Sequence, residues 1–249
     1  MPFSPLSLFR KRPSLEQLTP EAPLAVVGDI HGRADLLDRL LNLLAHEAGA
    51  DCALVFVGDY IDRGEQSAQV LARLQALQGG DWGAAVTCLK GNHEAMMLGF
   101  LDAPEEAGTF WIRNGGAHTL ASFGIPLPEP APGALTQARD ALRAALGARG
   151  EAWVRGLPLT LRSGNLLVAH AGAAPDSAPE DQTEEDLLWG HPAFEQKPRR
   201  DGLWVAHGHT IREEPAAEAG RISVDTGAYA THRLTAAHVA PGRCRFFCT

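Results

Sequence analysis

From residue 24 the chain alternates short, unbroken apolar runs with longer stretches in which apolar residues recur every third or fourth position. The runs at 24–27, 53–57 and 85–89 are mostly Val, Leu and Ala, the pattern of strands buried on both faces. Between and after them, 34–48, 66–78 and 94–101 carry helical periodicity; in the first, Leu36, Leu37, Leu40, Leu41 and Leu44 form one apolar stripe. The order predicts repeated βαβ units and an α/β fold. Residues 103–156 change to helical segments divided by the proline-rich turn IPLPEPAPG at 125–133, with a further amphipathic helix at 134–146, and read as a helical insertion. Strands are then predicted at 159–162, 166–169, 203–206, 221–224 and 234–239, a β-rich second half with hairpins; Ser163-Gly164-Asn165 is a turn between two of them.

With 249 residues, 45% of them hydrophobic, the chain can bury a substantial core, and residues 21–249 read as one domain behind an N-terminal extension at 1–20. The formal charge of -8 argues against general binding to nucleic acid backbones or anionic membranes, so any phosphate must be gripped locally. The first residues place their basic group after a short apolar stretch, the wrong order for a secretory signal, and no segment reaches membrane-spanning length. A cytoplasmic location is expected. Cys52, Cys88, Cys244 and Cys248 lack zinc-site spacing and read as reduced thiols, the first two as small core residues and the last two on one face of a C-terminal strand.

Chemistry is concentrated just beyond the first three strands, in Gly28-Asp29-Ile30-His31-Gly32, Gly58-Asp59-Tyr60-Ile61-Asp62-Arg63-Gly64 and Gly91-Asn92-His93-Glu94. In open α/β sheets functional residues collect beyond the carboxyl ends of strands, and Asp, His and Asn suit divalent metals. If extended, Asp29 and His31 would point to one side of the backbone and share a metal; taken alone, the motif is equally an ordinary turn with a capping Asp. Asp59 offers two oxygens and can bridge two cations. Asp62 and Arg63 fit a surface ion pair, but Arg also matches phosphate oxygens bidentately. Adjacent Asn92 and His93 should diverge, the amide toward a metal and the unmetallated imidazole toward a leaving oxygen. His170 and His209 follow later strands and fit as nitrogen ligands, though a lone histidine at a strand end is more often a satisfied polar residue. His207 is a decoy that would share a face with His209 if the strand continued.

The ordered set GDIHG, GDYIDRG, GNHE, His170-Ala171-Gly172 and Gly208-His209-Thr210 resembles the phosphoprotein phosphatase family of calcineurin-like metallophosphoesterases. WIRNGG at 111–116 and VDTGA at 224–228 are similar to bacterial and bacteriophage members. The resemblance implies a four-layer αββα sandwich with two divalent metals at the edge of the central sheets. It implies Asp29, His31 and Asp59 around one metal and Asp59, Asn92, His170 and His209 around the other. It further implies in-line attack by a metal-held hydroxide, His93 protonating the leaving oxygen, Asp62 orienting His93, and Arg63 binding phosphate. Manganese is expected by analogy with bacterial relatives, and the ligand set also admits iron or zinc.

Two positions depart from the resemblance. Lys90 precedes GNHE and His191 stands two residues after Trp189, where similar enzymes often carry phosphate-binding arginines. Weaker phosphate binding follows, with Arg113, Arg199 or Arg200 as compensating candidates. The leading expectation is a serine/threonine-type phosphomonoesterase acting on a phosphorylated protein or small phosphoester. The alternative is a symmetrical dinucleoside polyphosphate hydrolase, a class that usually reads GNHD and lacks GHT. A catalytically silent scaffold is disfavoured because every expected ligand and the acid are present.

Overall fold

The computed structural model describes residues 13–49 and 52–249. Along the chain come β1 (Leu24–Val27), α1 (Ala34–Glu47), β2 (Ala53–Phe56), α2 (Ser67–Ala76), β3 (Val86–Cys88), α3 (Asn92–Asp102), α4 (Pro104–Trp111), α5 (Ala117–Ser122) and α6 (Ala134–Arg155). Then follow β4 (Thr160–Ser163), β5 (Leu166–Ala169), α7 (Glu184–Trp189), β6 (Trp204–His207), β7 (Ala216–Glu218), β8 (Arg221–Ser223), α8 (Ala228–Thr231), β9 (Thr235–Ala240) and β10 (Arg243–Cys248).

Two five-stranded sheets form, in the orders β10-β9-β1-β2-β3 and β4-β5-β6-β8-β7. The fold is mixed α/β in four layers. Leu24, Val26, Val55 and Val57 of the first sheet face Val168, Trp204, Ala206 and Ile222 of the second. The alternate residues Ala25, Val27, Leu54 and Phe56 point the other way, onto the leucine stripe of α1 and onto Val70, Met97 and Phe100. Both faces of β1 and β2 are therefore covered, which is why their sequences are apolar without alternation. The outer face of the second sheet is capped by a thin layer in which Leu187 and Phe194 pack on Leu167, Ala169 and Val205.

The second half does carry hairpins, in the antiparallel neighbours β4–β5, β7–β8 and β9–β10, but its central strands pair differently. β5, β6 and β8 are parallel. The strand expected at 234–239 pairs antiparallel with its sequence neighbour β10 on one side and with the distant β1 on the other. The Gly164-Asn165 turn does join an antiparallel pair, β4 and β5. The expected helix 134–146 ends where Gly147 leaves helical geometry (φ 67°), and a further helical stretch continues to Arg155. Helix α7 was not anticipated, although Thr183 carries a legible start signal: its hydroxyl accepts the Asp186 N–H at 3.1 Å. Of the segment set apart as an extension, residues 1–12 lie outside the described residues. Residues 13–20 belong to the packed structure, with Leu18 fully buried between the sheets. Cys52 and Cys88 are buried, and none of the four cysteines forms a disulfide.

Candidate metal centre

The parallel strands of both sheets aim their carboxyl ends at one place. Asp29, Asp59 and Asn92 follow β1, β2 and β3; His170, His209 and Asp225 follow β5, β6 and β8. Asp29, Asp59, Asn92 and His170 are buried, and His209 is half-buried. The two sheets approach so closely that a Cβ on Gly208 would lie 1.9 Å from an Asp29 oxygen, and within the first sheet one on Gly91 would lie 2.2 Å from Asp59 Oδ1. Only glycine fits either position.

Asp59 sits between two imidazoles. His31 Nε2 is 3.5 Å from its Oδ2, and His170 Nε2 is 3.4 Å from its Oδ1. His31 Nδ1 lies 2.9 Å from the Ile61 carbonyl and His170 Nδ1 lies 3.2 Å from the Val57 carbonyl. Those carbonyls accept only from a protonated Nδ1, which assigns the Nδ1–H tautomer and turns both Nε2 lone pairs toward the carboxylate. Asn92 Oδ1 stands 2.8 Å from His170 Nε2 and 3.1 Å from His209 Nδ1, so lone pairs face lone pairs unless a proton or cation lies between.

Charge makes the same demand. Asp29 is pushed well up from the ordinary carboxyl range by burial and then by Asp225 and Asp59. Asp225 is raised to about 6, chiefly by burial, with Asp59 adding to it. Asp59 itself is held below the usual range: burial acts against ionisation, but His170, His93 and His31 outweigh it. Burial lowers His31 to about 3 and His170 to about 4, which keeps them neutral and ligand-competent. Neutral imidazoles, an amide oxygen and crowded carboxylates form a donor set that fits divalent cations.

Two groups of donor atoms lie within 4.8 Å of one another: His31, Asp59 and His93, and Asp59, His170 and His209. His93 thus joins the His31 and Asp59 group, where the resemblance had placed Asp29 as the third ligand. Asp29 is in neither; both its carboxylate oxygens face the His209 backbone N–H, at 3.2 and 3.1 Å. Asp29 and His31 also do not alternate along an extended strand. β1 ends at Val27, and His31 has a left-handed φ of 45°.

His93 donates from Nδ1 to Asp62 Oδ2 at 2.7 Å, while its Nε2 lies 3.8 Å from Asp59 Oδ2. Burial draws the imidazole down, but Asp59 and Asp62 win and hold it above its ordinary value. Arg63 reaches His31 Nε2 at 3.1 Å and lies over the Tyr229 ring at 4.8 Å, so the guanidinium borders the carboxylate cluster and is not a surface ion pair. The decoy resolves physically: β6 stops at His207, and His209 turns back at φ 62°. His207 is buried on the opposite side, bonded to Ser223 Oγ and the Gly208 carbonyl and edge-on to Phe194.

The more distant candidates separate. Lys90 is half-buried beside Gly91. His191 is half-buried, its Nδ1 accepting the Ala193 N–H at 3.1 Å. Arg113 is exposed on a groove of about 250 Å³ with Thr109, Ile112, Pro128 and Leu135, and no metal-ligand candidate lines that groove. Arg199 is unavailable as a compensating grip: it is buried and spent on the Ala174 and Ser177 carbonyls and Asp201. Arg200 is exposed.

Two residues went unassigned. Glu94 is fully buried and accepts the N–H groups of Asp59, Tyr60 and Gly91 at 2.8 to 2.9 Å, clamping the ends of β2 and β3 together. Asp225 repeats the apolar-run-then-Asp pattern of the first motifs in VDTGA, a signal that could have placed it here.

A layered α/β sandwich with an acidic and imidazole-rich centre at its sheet edge defines a metal-dependent phosphoester-cleaving class. The sequence profile of the calcineurin-like phosphoesterases matches residues 22–221, and the chain belongs to that family. It is 31% identical over 224 residues to serine/threonine-protein phosphatase 1 of Salmonella typhimurium, covering 86% of this chain and 90% of the relative. It is 28% identical over 236 residues to an asymmetrical bis(5'-nucleosyl)-tetraphosphatase of Bacillus velezensis, covering 84% and 86%. A crystal structure of a candidate diadenosine tetraphosphatase superposes with a TM-score of 0.63 at 22% identity, covering 92% of this chain and 94% of that one, a likeness of fold.

Proposed function

We propose that this protein is a cytoplasmic, manganese-using phosphomonoesterase that hydrolyses phosphoserine- and phosphothreonine-type esters. Asp29, His31 and Asp59 would hold one cation, and Asp59, Asn92, His170 and His209 the other. When bound, such cations supply positive charge that acidifies a water molecule and neutralises phosphoryl oxygens. Arg63 offers a planar fork to the phosphate, with Lys90 and His191 as weaker partners and Arg113 of the insertion as a further, exposed cation. His93 gives its proton to the departing serine or threonine oxygen, and Asp62 holds the imidazole in the orientation and protonation state for that task. The observation that carries this reading is the 2.7 Å His93–Asp62 hydrogen bond beside a carboxylate flanked by two imidazoles.

Dinucleoside polyphosphates are the second reading, favoured by the similarity to the Bacillus velezensis enzyme. That relative carries the asymmetrical description rather than the symmetrical class suggested by the motifs. Side-by-side assays of phosphoserine peptides and diadenosine tetraphosphate with manganese decide between them. A higher kcat/KM on the peptides is expected, and a clear preference for the tetraphosphate overturns the proposal.

A further inference from the structure

The carboxylate of Asp62 receives hydrogen bonds from three side chains, two of which belong to the helical insertion. Its Oδ2 accepts His93 Nδ1–H at 2.7 Å and Trp111 Nε1–H at 2.9 Å, and its Oδ1 accepts the Thr119 hydroxyl at 2.6 Å. Asp62 and Trp111 have no exposed surface, and Thr119 has none either. The backbone is held from the same side. Asp62 N–H is bonded to Thr119 Oγ1 at 2.9 Å and to Ser67 Oγ at 3.1 Å, and Arg63 N–H points at the Gly115 carbonyl at 3.4 Å. Asp62 and Arg63 both have left-handed φ angles, 70° and 68°, a conformation that persists in non-glycine residues only when surroundings over-determine it.

The anchors are themselves fixed. Trp111 stacks on Phe100 with centroids 4.8 Å apart, and the start of α2 is tied to α5 by the bond from Ala68 N–H to Ser122 Oγ at 3.1 Å. A carboxylate with both oxygens pinned cannot rotate about its terminal torsion without breaking a buried hydrogen bond. The imidazole it orients therefore inherits the geometry of α4 and α5.

We propose that Trp111 and Thr119 are positioning residues for proton donation, so that the helical insertion completes the catalytic acid. The proposal rests on the reading of His93 as the donor. Its signature depends on the leaving group. A serine alkoxide cannot depart without a proton, whereas 4-nitrophenolate is stable as an anion and needs little help.

The test uses Trp111→Phe, which keeps the stack and removes only the N–H, and Thr119→Val, which keeps the shape and removes the hydroxyl. With manganese-loaded full-length protein, kcat on a phosphoserine peptide should fall about tenfold to a hundredfold, as expected for a lost hydrogen bond to a charged group, with KM unchanged. On 4-nitrophenyl phosphate kcat should fall much less, and Thr119→Ser should restore the wild-type ratio. In metal-free protein, the downfield proton resonance of His93 Nδ1–H should shift in Trp111→Phe and Thr119→Val and return in Thr119→Ser. Equal losses on both substrates, or an unmoved resonance, overturn the proposal. His93→Gln run in parallel separates the two readings. If it shows no leaving-group dependence, the donor assignment is what fails, and the resonance alone then decides whether the two insertion residues position the imidazole.

Discussion

His170 Nε2 stands 3.4 Å from Asp59 Oδ1, although the two residues belong to different sheets. The opposite oxygen of the same carboxylate faces His31 Nε2 at 3.5 Å. One side chain therefore spans the seam between the two halves of the centre, which is the geometry a bridging ligand requires.

Replacing that carboxylate should uncouple the two halves. Asp59→Asn keeps the volume and the backbone bonds made by Glu94, but loses the negative charge that the three histidines surround. Hydrolysis of a generic aryl phosphate is expected to fall by at least about two orders of magnitude, with metal content dropping below two per chain by elemental analysis. Full activity in this variant would remove Asp59 from the mechanism.

Phosphate grip should respond to His191. The imidazole already accepts the Ala193 N–H through Nδ1, leaving a single ring nitrogen for substrate. His191→Arg would supply a bidentate fork, and KM for phosphoserine peptides should fall about tenfold, with little change in kcat. An unchanged or higher KM counts against His191 as a substrate contact.

Acid stability should carry the mark of His207. Burial lowers its pKa from 6.5 to about 4, so the folded protein resists protonation while the unfolded chain accepts it. The group costs nothing above pH 6.5. Stability then drops as pH falls from 6.5 through 4, by on the order of 3 kcal/mol in total for a shift of this size. Urea titrations of metal-free wild type and His207→Gln should show a difference that shrinks as pH falls across that window: the variant starts less stable and has the shallower decline. Parallel pH profiles would show that His207 titrates elsewhere.

The order of amino acids alone was enough for the βαβ pattern, the leucine stripe of α1, the helical insertion and the Asp, Asn and His residues just past the strands. These features depend on periodicities of two and 3.6 and on strand ends, which are local properties of the chain. Partnership across sequence distance was not legible. Pairing of β9 with β1 is a choice among possible strand neighbours, settled by which apolar faces meet between the sheets. The choice of His209 over His207 turned on where β6 stops and on one left-handed residue. Arg199 looked available as a charge, but packing committed it to two carbonyls and Asp201. Trp111 and Thr119 carry no motif for proton transfer, and only the docking of α4 and α5 on the end of β2 brings their donors to Asp62. Local patterning can specify which groups are present near a site; the orientation of each lone pair and proton is a property of contacts between segments, and only the tertiary structure decides it.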